Sequence, residues 1–366
     1  MTDLEAHATR HLFSATLFRH ITDVMETSPF RIACVGAGFF AQLHHAAWLA
    51  AAGAELTGIA DPSSHARVPD GVPLYDGIEA MLAAGPVDIL DIVTPPHTHA
   101  GLIETAIAAG VKRIICQKPF CGTLAAARQM TDLAASSGVS LAVHENFRFQ
   151  PWYRQLQAII AEGRLGSLYQ FRFALRPGDG QGPDAYLDRQ PYFQTMDRFL
   201  VHETAVHFLD VFSYLFGRPD TIYADLRRLN PVIAGEDAGM IICGYGDGFR
   251  AVFDGNRLAD HAADNTRLTM GEALLEGERG SLRIDGFGRI SMRDHGATGW
   301  QEIAGPPSDT SFGGGCVAAL CQQAIEAWRS GDTPEVTAAD YLDVLMMEEA
   351  VYDSAASGAR ITLPAG

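Results

Sequence analysis

Residues 30–51 read FRIACVGAGFFAQLHHAAWLAA, and this stretch decides the fold. An apolar run from Phe30 to Val35 has the composition of a buried strand. Gly36-Ala37-Gly38-Phe39-Phe40-Ala41 follows with the spacing GxGxxA, and an alanine-rich segment of helical composition comes after it. In such a strand–turn–helix unit Gly36 permits the tight turn and Gly38 lets the backbone approach a pyrophosphate. Ala41 allows the helix to pack close to the strand. The helix N-terminus offers free N–H groups to the phosphates, and Phe39 and Phe40, inside the turn, are counted with the glycines as cofactor contacts. The next apolar run, AELTGIAD (54–61), ends in Asp61, 25 residues beyond Gly36. A carboxylate there accepts hydrogen bonds from a ribose 2′-hydroxyl and repels a 2′-phosphate. The predicted cofactor is therefore NAD rather than NADP.

Three further apolar runs, VDILDIVTPP (87–96), VKRIICQKP (111–119) and VSLAVHENF (139–147), each follow a helix-compatible segment. Strands alternating with helices predict βαβ units and a parallel sheet covered on both faces. Ligands of such sheets collect beyond the carboxyl ends of the strands. Three of those ends carry chemistry: Thr94-Pro95-Pro96-His97-Thr98-His99, Cys116-Gln117-Lys118-Pro119, and His144-Glu145-Asn146-Phe147-Arg148. Lys118 ends a buried run and is followed by proline, in a half-desolvated setting where an amine becomes a usable acid or base. Thr94, Pro95, His99, Gln117 and Lys118 are expected to contact the cofactor, while His97 or His99 also suits a cap on the following helix. A glycine turn followed by an acidic strand end suits adenosylmethionine too, but the Lys-Pro strand end argues against a methyltransferase.

The run FLVHETAVHFLDVFSYLFG (199–217) is apolar almost all round and ends in glycine, with Pro219 just beyond, which predicts a buried helix. Its HETAVH segment resembles a zinc-protease signature at first sight. In that signature the two histidines are four apart on one helix face. Here His202 and His207 are five apart, roughly 140° around an α-helix, so no metal site is predicted. Glu203 and His207 are four apart and share a face, and with Asp210 and Tyr214 they form a polar stripe. A polar stripe on a buried helix requires partners in the core or a ligand. Beyond it, TIYADLRRL (221–229), GMIICGYGDGFRAVFDG (239–255) and the segment 266–295 read as alternating strands with tight turns, a meander predicting a mostly antiparallel sheet. The segments 316–331 and 337–358 read as closing helices.

The stretches VGAGFFAQLHH (35–45), ADPSSHAR (60–67), VTPPHTHAGLIETAIAAGVKRIICQKP (93–119) and VHENFRFQPWY (143–153) resemble, in order, the motifs of the glucose-fructose oxidoreductase / inositol dehydrogenase / rhizopine catabolism (Gfo/Idh/MocA) family. The resemblance runs from about residue 30 to residue 217. It implies a Rossmann domain over 30–148 and a substrate-binding and oligomerisation domain with a large open sheet over 149–366, following an extension at 1–29. Lys118 matches the lysine of the family's Glu-Lys-Pro motif, with Gln117 in the glutamate's place. Glu203 and His207 match an Asp-x-x-x-His pair, with glutamate for aspartate. The resemblance implies NAD-dependent hydride transfer in which Glu203 orients His207, and His207 or Lys118 takes the hydroxyl proton. Asn146, Arg148, Tyr192, Arg198 and Asp210 are candidate substrate-binding groups. The implied substrate is an aldose oxidised at its anomeric carbon to a lactone. The alternatives are a secondary alcohol of inositol or another polyol, and, in a different class, a non-catalytic NAD- and sugar-binding regulator. The family's open sheet implies a homodimer or homotetramer.

Bulk properties fit. The 366-residue chain is 47% hydrophobic and 19% charged, and it is long enough for two cores. A net charge of −17 provides no footprint for nucleic acid or an anionic membrane. No apolar run reaches bilayer length. The six cysteines include no CxxC pair, so buried free thiols and a cytoplasmic setting are expected. Residues 1–29 lack the apolar core of a secretory signal, and an amphipathic docking helix or a frayed extension is expected there.

Overall fold

The computed structural model describes residues 28–364, so the expectation for the N-terminal extension lies almost wholly outside the described residues. The first half of the chain alternates: β1 (Phe30–Val35), α1 (Ala41–Ala50), β2 (Ala54–Ala60), β3 (Leu74–Tyr75), α2 (Ile78–Ala84), β4 (Ile89–Ile92), α3 (His99–Ala108), β5 (Arg113–Gln117), α4 (Leu124–Ser136) and β6 (Ser140–His144). Among the described residues these strands form one parallel sheet in the order β3-β2-β1-β4-β5-β6. That is the doubly wound dinucleotide-binding order, whose crevice opens where the chain reverses direction between β1 and β4. The strands are fully buried where it matters: Ile32, Ala33, Cys34, Ile114, Ile115 and Cys116 are all inaccessible. Helices on both faces account for these continuous apolar runs. At two residues, β3 is too short to carry a readable hydrophobic pattern.

The second half builds α5 (Pro151–Ala161), β7 (Leu168–Leu175), α6 (Val206–Phe216), β8 (Thr221–Arg227), β9 (Ala238–Gly244), β10 (Arg250–Asn256), β11 (Gly271–Gly277), β12 (Gly280–Ile284), β13 (Ile290–Asp294), β14 (Gln301–Ala304), α7 (Cys316–Ser330), α8 (Ala338–Ser357) and β15 (Ile361–Thr362). The nine strands order as β14-β13-β12-β11-β7-β10-β9-β8-β15. Every pairing is antiparallel except β7 with β10, where Phe171 lies beside Ala251. Alternation decides the faces. In β8, Ile222 and Ala224 point into the core while Tyr223 and Asp225 are exposed. Helices α6 and α8 pack against each other, and α8 covers β8. On the uncovered face Tyr223 and Met240 are exposed.

The closing helices return to the first sheet. Helix α7 packs on α1, α8 packs on α4, and Trp328 donates its indole N–H to Ser140 at 2.9 Å. Both sheets thus share one continuous core. No helix among the described residues is long and apolar enough to cross a membrane.

Candidate active site

The glycine turn is shaped by close approach. Gly36 has φ +108, and a Cβ there would lie 2.1 Å from the Val93 carbonyl oxygen. Only glycine fits. At Gly38 a Cβ would meet nothing within 4 Å, so that backbone is open to an incoming group. Helix α1 begins just beyond, with no side-chain cap on its first N–H groups. Asp61 stands at the end of β2 and accepts from the Ala37 N–H at 2.7 Å and the Ser63 N–H at 2.8 Å. These features fit a dinucleotide, with the diphosphate at Gly38, Phe39 and Phe40 and the ribose diol beside Asp61.

A cavity of about 620 Å³ opens from this turn towards the second domain. Among the residues expected to act there, Phe39, Phe40, Thr94, Pro95, Gln117 and Lys118 line its first-domain wall. Tyr192, Glu203 and His207 line the opposite one. Lys118, at the end of β5, donates to the Glu203 backbone carbonyl at 2.6 Å and faces the Glu203 carboxylate at 3.1 Å. Its amine is therefore ion-paired rather than isolated.

Gln117 has a definite partner set. Its side-chain oxygen accepts the Lys118 N–H at 2.7 Å, and its amide nitrogen lies 2.9 Å from His44 Nε2. His44 Nδ1 lies 2.8 Å from Asp91, which also accepts from Trp48 at 2.6 Å. With Nδ1–H given to Asp91, His44 Nε2 is an acceptor, and the amide of Gln117 supplies the donor that a glutamate lacks.

The expected orientation of His207 by Glu203 is corrected by the structure. Residues Leu200–Ala205 form a π-helical turn, in which Val206 N–H reaches back to Val201. This wider turn removes the α-helical spacing on which the Glu203–His207 pairing relied. Glu203 turns to Lys118, and His207 Nδ1 instead meets Glu145 Oε1 at 2.5 Å. Glu145 is fully buried just past β6 and also accepts from the Phe147 N–H and the Tyr341 hydroxyl, each at 3.2 Å. The imidazole stacks flat on Phe147, with ring centroids 3.8 Å apart. Burial holds Glu145 up at about 7. Burial, reinforced by the nearby Lys118 charge, holds His207 well below its ordinary value. With Glu145 ionised, the neutral ring donates Nδ1–H to it, leaving Nε2 as an acceptor with no protein partner among the described residues.

Several expected substrate contacts, and one expected cofactor contact, His99, lie elsewhere. Asn146 is buried and donates to the Cys316 thiol at 2.9 Å. Arg148 and Asp210 form a two-point ion pair beside Tyr214, away from the cavity lining. Burial opposes the Arg148 charge, but Asp210 raises it above the usual arginine range. The Asp210 and Tyr214 part of the polar stripe is thus satisfied by arginines, Arg154 donating to the Tyr214 hydroxyl at 3.0 Å. Arg198 is at the surface, paired with Glu349 at 2.7 Å and lying over Tyr352. His99 is buried, its Nε2 2.8 Å from the Thr94 carbonyl while Cys121 N–H points at Nδ1 from 3.4 Å. Burial holds it down at about 4, so it braces the loop as a neutral ring instead of facing a ligand. The sequence signal for Glu145 was its place in a loaded strand end, but nothing local marked it as the partner of His207.

A doubly wound nucleotide fold joined to an open-sheet domain, with an acceptor imidazole and a lysine between them, defines a nicotinamide-dependent oxidoreductase. Residues 30–145 match the Gfo/Idh/MocA oxidoreductase family, NAD-binding Rossmann fold, and residues 153–283 match that family's C-terminal domain. The chain belongs to the Gfo/Idh/MocA family of NAD-binding oxidoreductases. It is 33% identical over 353 residues to a D-apiose dehydrogenase of Paraburkholderia graminis, covering 91% of this chain and 90% of that one. It is 29% identical over 355 residues to a D-apiose dehydrogenase of Rhizobium rhizogenes, covering 93% and 99%. Its fold is similar to that of an oxidoreductase from Agrobacterium radiobacter solved with NAD+, L-tartaric acid and magnesium. There the TM-score is 0.82 at 28% identity, covering 92% of this chain and 98% of the other.

Proposed function

We propose that this protein is an NAD-dependent sugar dehydrogenase that oxidises an aldose at its anomeric carbon to the lactone, with D-apiose as the candidate substrate. The observation that carries the reading is His207, a neutral imidazole fixed by Glu145 and Phe147 with its free Nε2 on the cavity wall shared with Lys118. In this reading Nε2 accepts the anomeric hydroxyl proton, and Glu145 stabilises the imidazolium that results. Lys118, held by Glu203, directs its remaining N–H to the same substrate oxygen. Bound NAD+ supplies the two-electron acceptor for the hydride leaving the carbon. An anomeric hydroxyl is more acidic than an ordinary alcohol, which suits a neutral imidazole base. Tyr192 and Gln190, joined at 3.0 Å on the rim, are the candidate sugar contacts. The similarity to two D-apiose dehydrogenases supports this substrate over an inositol. A screen of aldoses and polyols followed by NADH formation tests it. Oxidation of inositol but of no aldose overturns the anomeric assignment, and no NADH from any alcohol favours a binding-only regulator.

The uncovered face of the second sheet, with Tyr223 and Met240 exposed, supports self-association as a homodimer or homotetramer. Light scattering at micromolar concentration should return a multiple of the chain mass, and a monomer removes the idea. The six free, buried cysteines accord with a reducing, cytoplasmic setting.

A further inference from the structure

Three arginines line the cavity: Arg189, Arg257 and Arg267. The first two are committed. Arg189 and Arg257 both pair with Asp179, at 2.5 and 2.8 Å, and Arg257 also donates to Tyr186 and Thr204. Arg267 is not. Its guanidinium lies 5.5 Å from the Phe39 ring centroid and 5.3 Å from that of Phe312, and it donates to no described residue. The one carboxylate acting on it, Asp179, is already shared by the other two arginines, whose charges repel it. Burial works against its charge in the same direction.

A half-buried cation without a counterion is costly, and the protein has 44 acidic residues from which to supply one. Arg267 therefore has the character of a group completed by a ligand. Its place says which ligand. It comes from the loop between β10 and β11, in the second domain, yet it lies over Phe39, the residue after Gly38 in the glycine turn. An anion resting on the free N–H groups at the start of α1 meets this guanidinium from the other side.

We propose that Arg267 is an anion-binding residue whose ligand is the diphosphate of the dinucleotide, gripped between the first-domain glycine turn and this second-domain guanidinium. The proposal rests on the reading of the glycine turn as the dinucleotide site. It gives cofactor binding a second function: the diphosphate ties the glycine turn to the second domain at the cavity. A guanidinium fork matches two phosphate oxygens at once, which a lysine does not.

The test is calorimetric titration of the full chain with NAD+, ADP-ribose and adenosine. Wild type is compared with Arg267→Gln and Arg267→Lys, each first checked for an unchanged thermal transition. The loss of a charge-assisted pair should weaken NAD+ and ADP-ribose together, by about tenfold or more in Arg267→Gln. Arg267→Lys should fall between, and adenosine, which carries no phosphate, should not respond. Equal NAD+ affinity in Arg267→Gln and wild type overturns the proposal. It is overturned equally if NAD+ binding is unchanged while the NAD-loaded protein loses affinity for gluconate, because the anion then belongs to the substrate. Failure of wild type to bind NAD+ at all refutes instead the dinucleotide reading beneath it.

Discussion

Replacing Glu145 by glutamine separates its two jobs, because the surrounding donors dictate how the amide sits. Oε1 of Glu145 accepts from both the Phe147 N–H and His207, while Oε2 accepts from the Tyr341 hydroxyl. The Phe147 N–H is a fixed donor, so the amide oxygen must stay on that side and the NH2 must turn to the Tyr341 oxygen. The oxygen then still accepts His207 Nδ1–H, and Nε2 remains the base. What Glu145→Gln loses is the negative charge behind the imidazolium. A charged hydrogen bond contributes about 1.5–3 kcal/mol against about 1 for a neutral one. The expected loss is therefore about 0.5–2 kcal/mol, or roughly two- to thirtyfold in kcat/KM. Glu145→Ala removes the acceptor altogether and frees the ring, so its loss should approach the roughly 10²–10⁴-fold contribution of a positioned base. The pH profile gives a second reading. In the wild type, protonating the buried carboxyl makes it a donor to Nδ1 and moves the ring proton to Nε2, the wrong tautomer. Activity should rise with pH through an apparent value near 7 that belongs to the pair, and this step should vanish in Glu145→Gln. Stability moves oppositely. Burial raises Glu145 from 4.5 to about 7, so between those values the unfolded chain binds fewer protons and stability falls as pH rises. Glu145→Gln abolishes that fall, and its thermal transition at neutral pH should not drop. Wild-type kcat/KM with an unchanged pH profile in both variants would refute the assignment.

Lys118→Ala and His207→Ala should each lower kcat/KM by a few kilocalories' worth, and the double variant by less than their sum, since both act on one proton transfer; full additivity in steady-state kinetics contradicts this. Wild-type turnover by Lys118→Ala removes the mechanism itself. Asp61→Ala should narrow the preference for NAD over NADP by removing the carboxylate beside the ribose, read from Kd values for both cofactors; an unchanged ratio excludes Asp61 as the discriminator. Gly36→Ala places a methyl 2.1 Å from the Val93 oxygen at φ +108, with a backbone strain of about 1–3 kcal/mol before the clash is counted. Its thermal transition should fall by several degrees, and NAD+ affinity with it; a fully stable variant binding NAD+ normally shows that the turn is not as tight as described.

The sequence determined the first domain almost completely. Strand–helix alternation and the glycine spacing are local, and burial on both faces leaves a parallel sheet the only economical way to hide those apolar runs. The chemistry at the strand ends was legible for the same reason, since Thr94, Gln117 and Lys118 need only a strand and a reversal to reach the crevice. Tertiary structure decided the pairings. Glu145 and His207 are 62 residues apart and meet only because the turn after β6, Phe147–Phe149, packs against α6. The π-helical turn at Leu200–Ala205 gives no signal in residue spacing, yet it sends Glu203 to Lys118 and leaves His207 to another carboxylate. Arg148 and Arg198 look alike in sequence as cations near a site; packing buries one against Asp210 and leaves the other at the surface with Glu349. A side chain's type fixes which bonds it can make, but which partner comes within 3 Å depends on contacts between distant segments, and those exist only once both cores have closed.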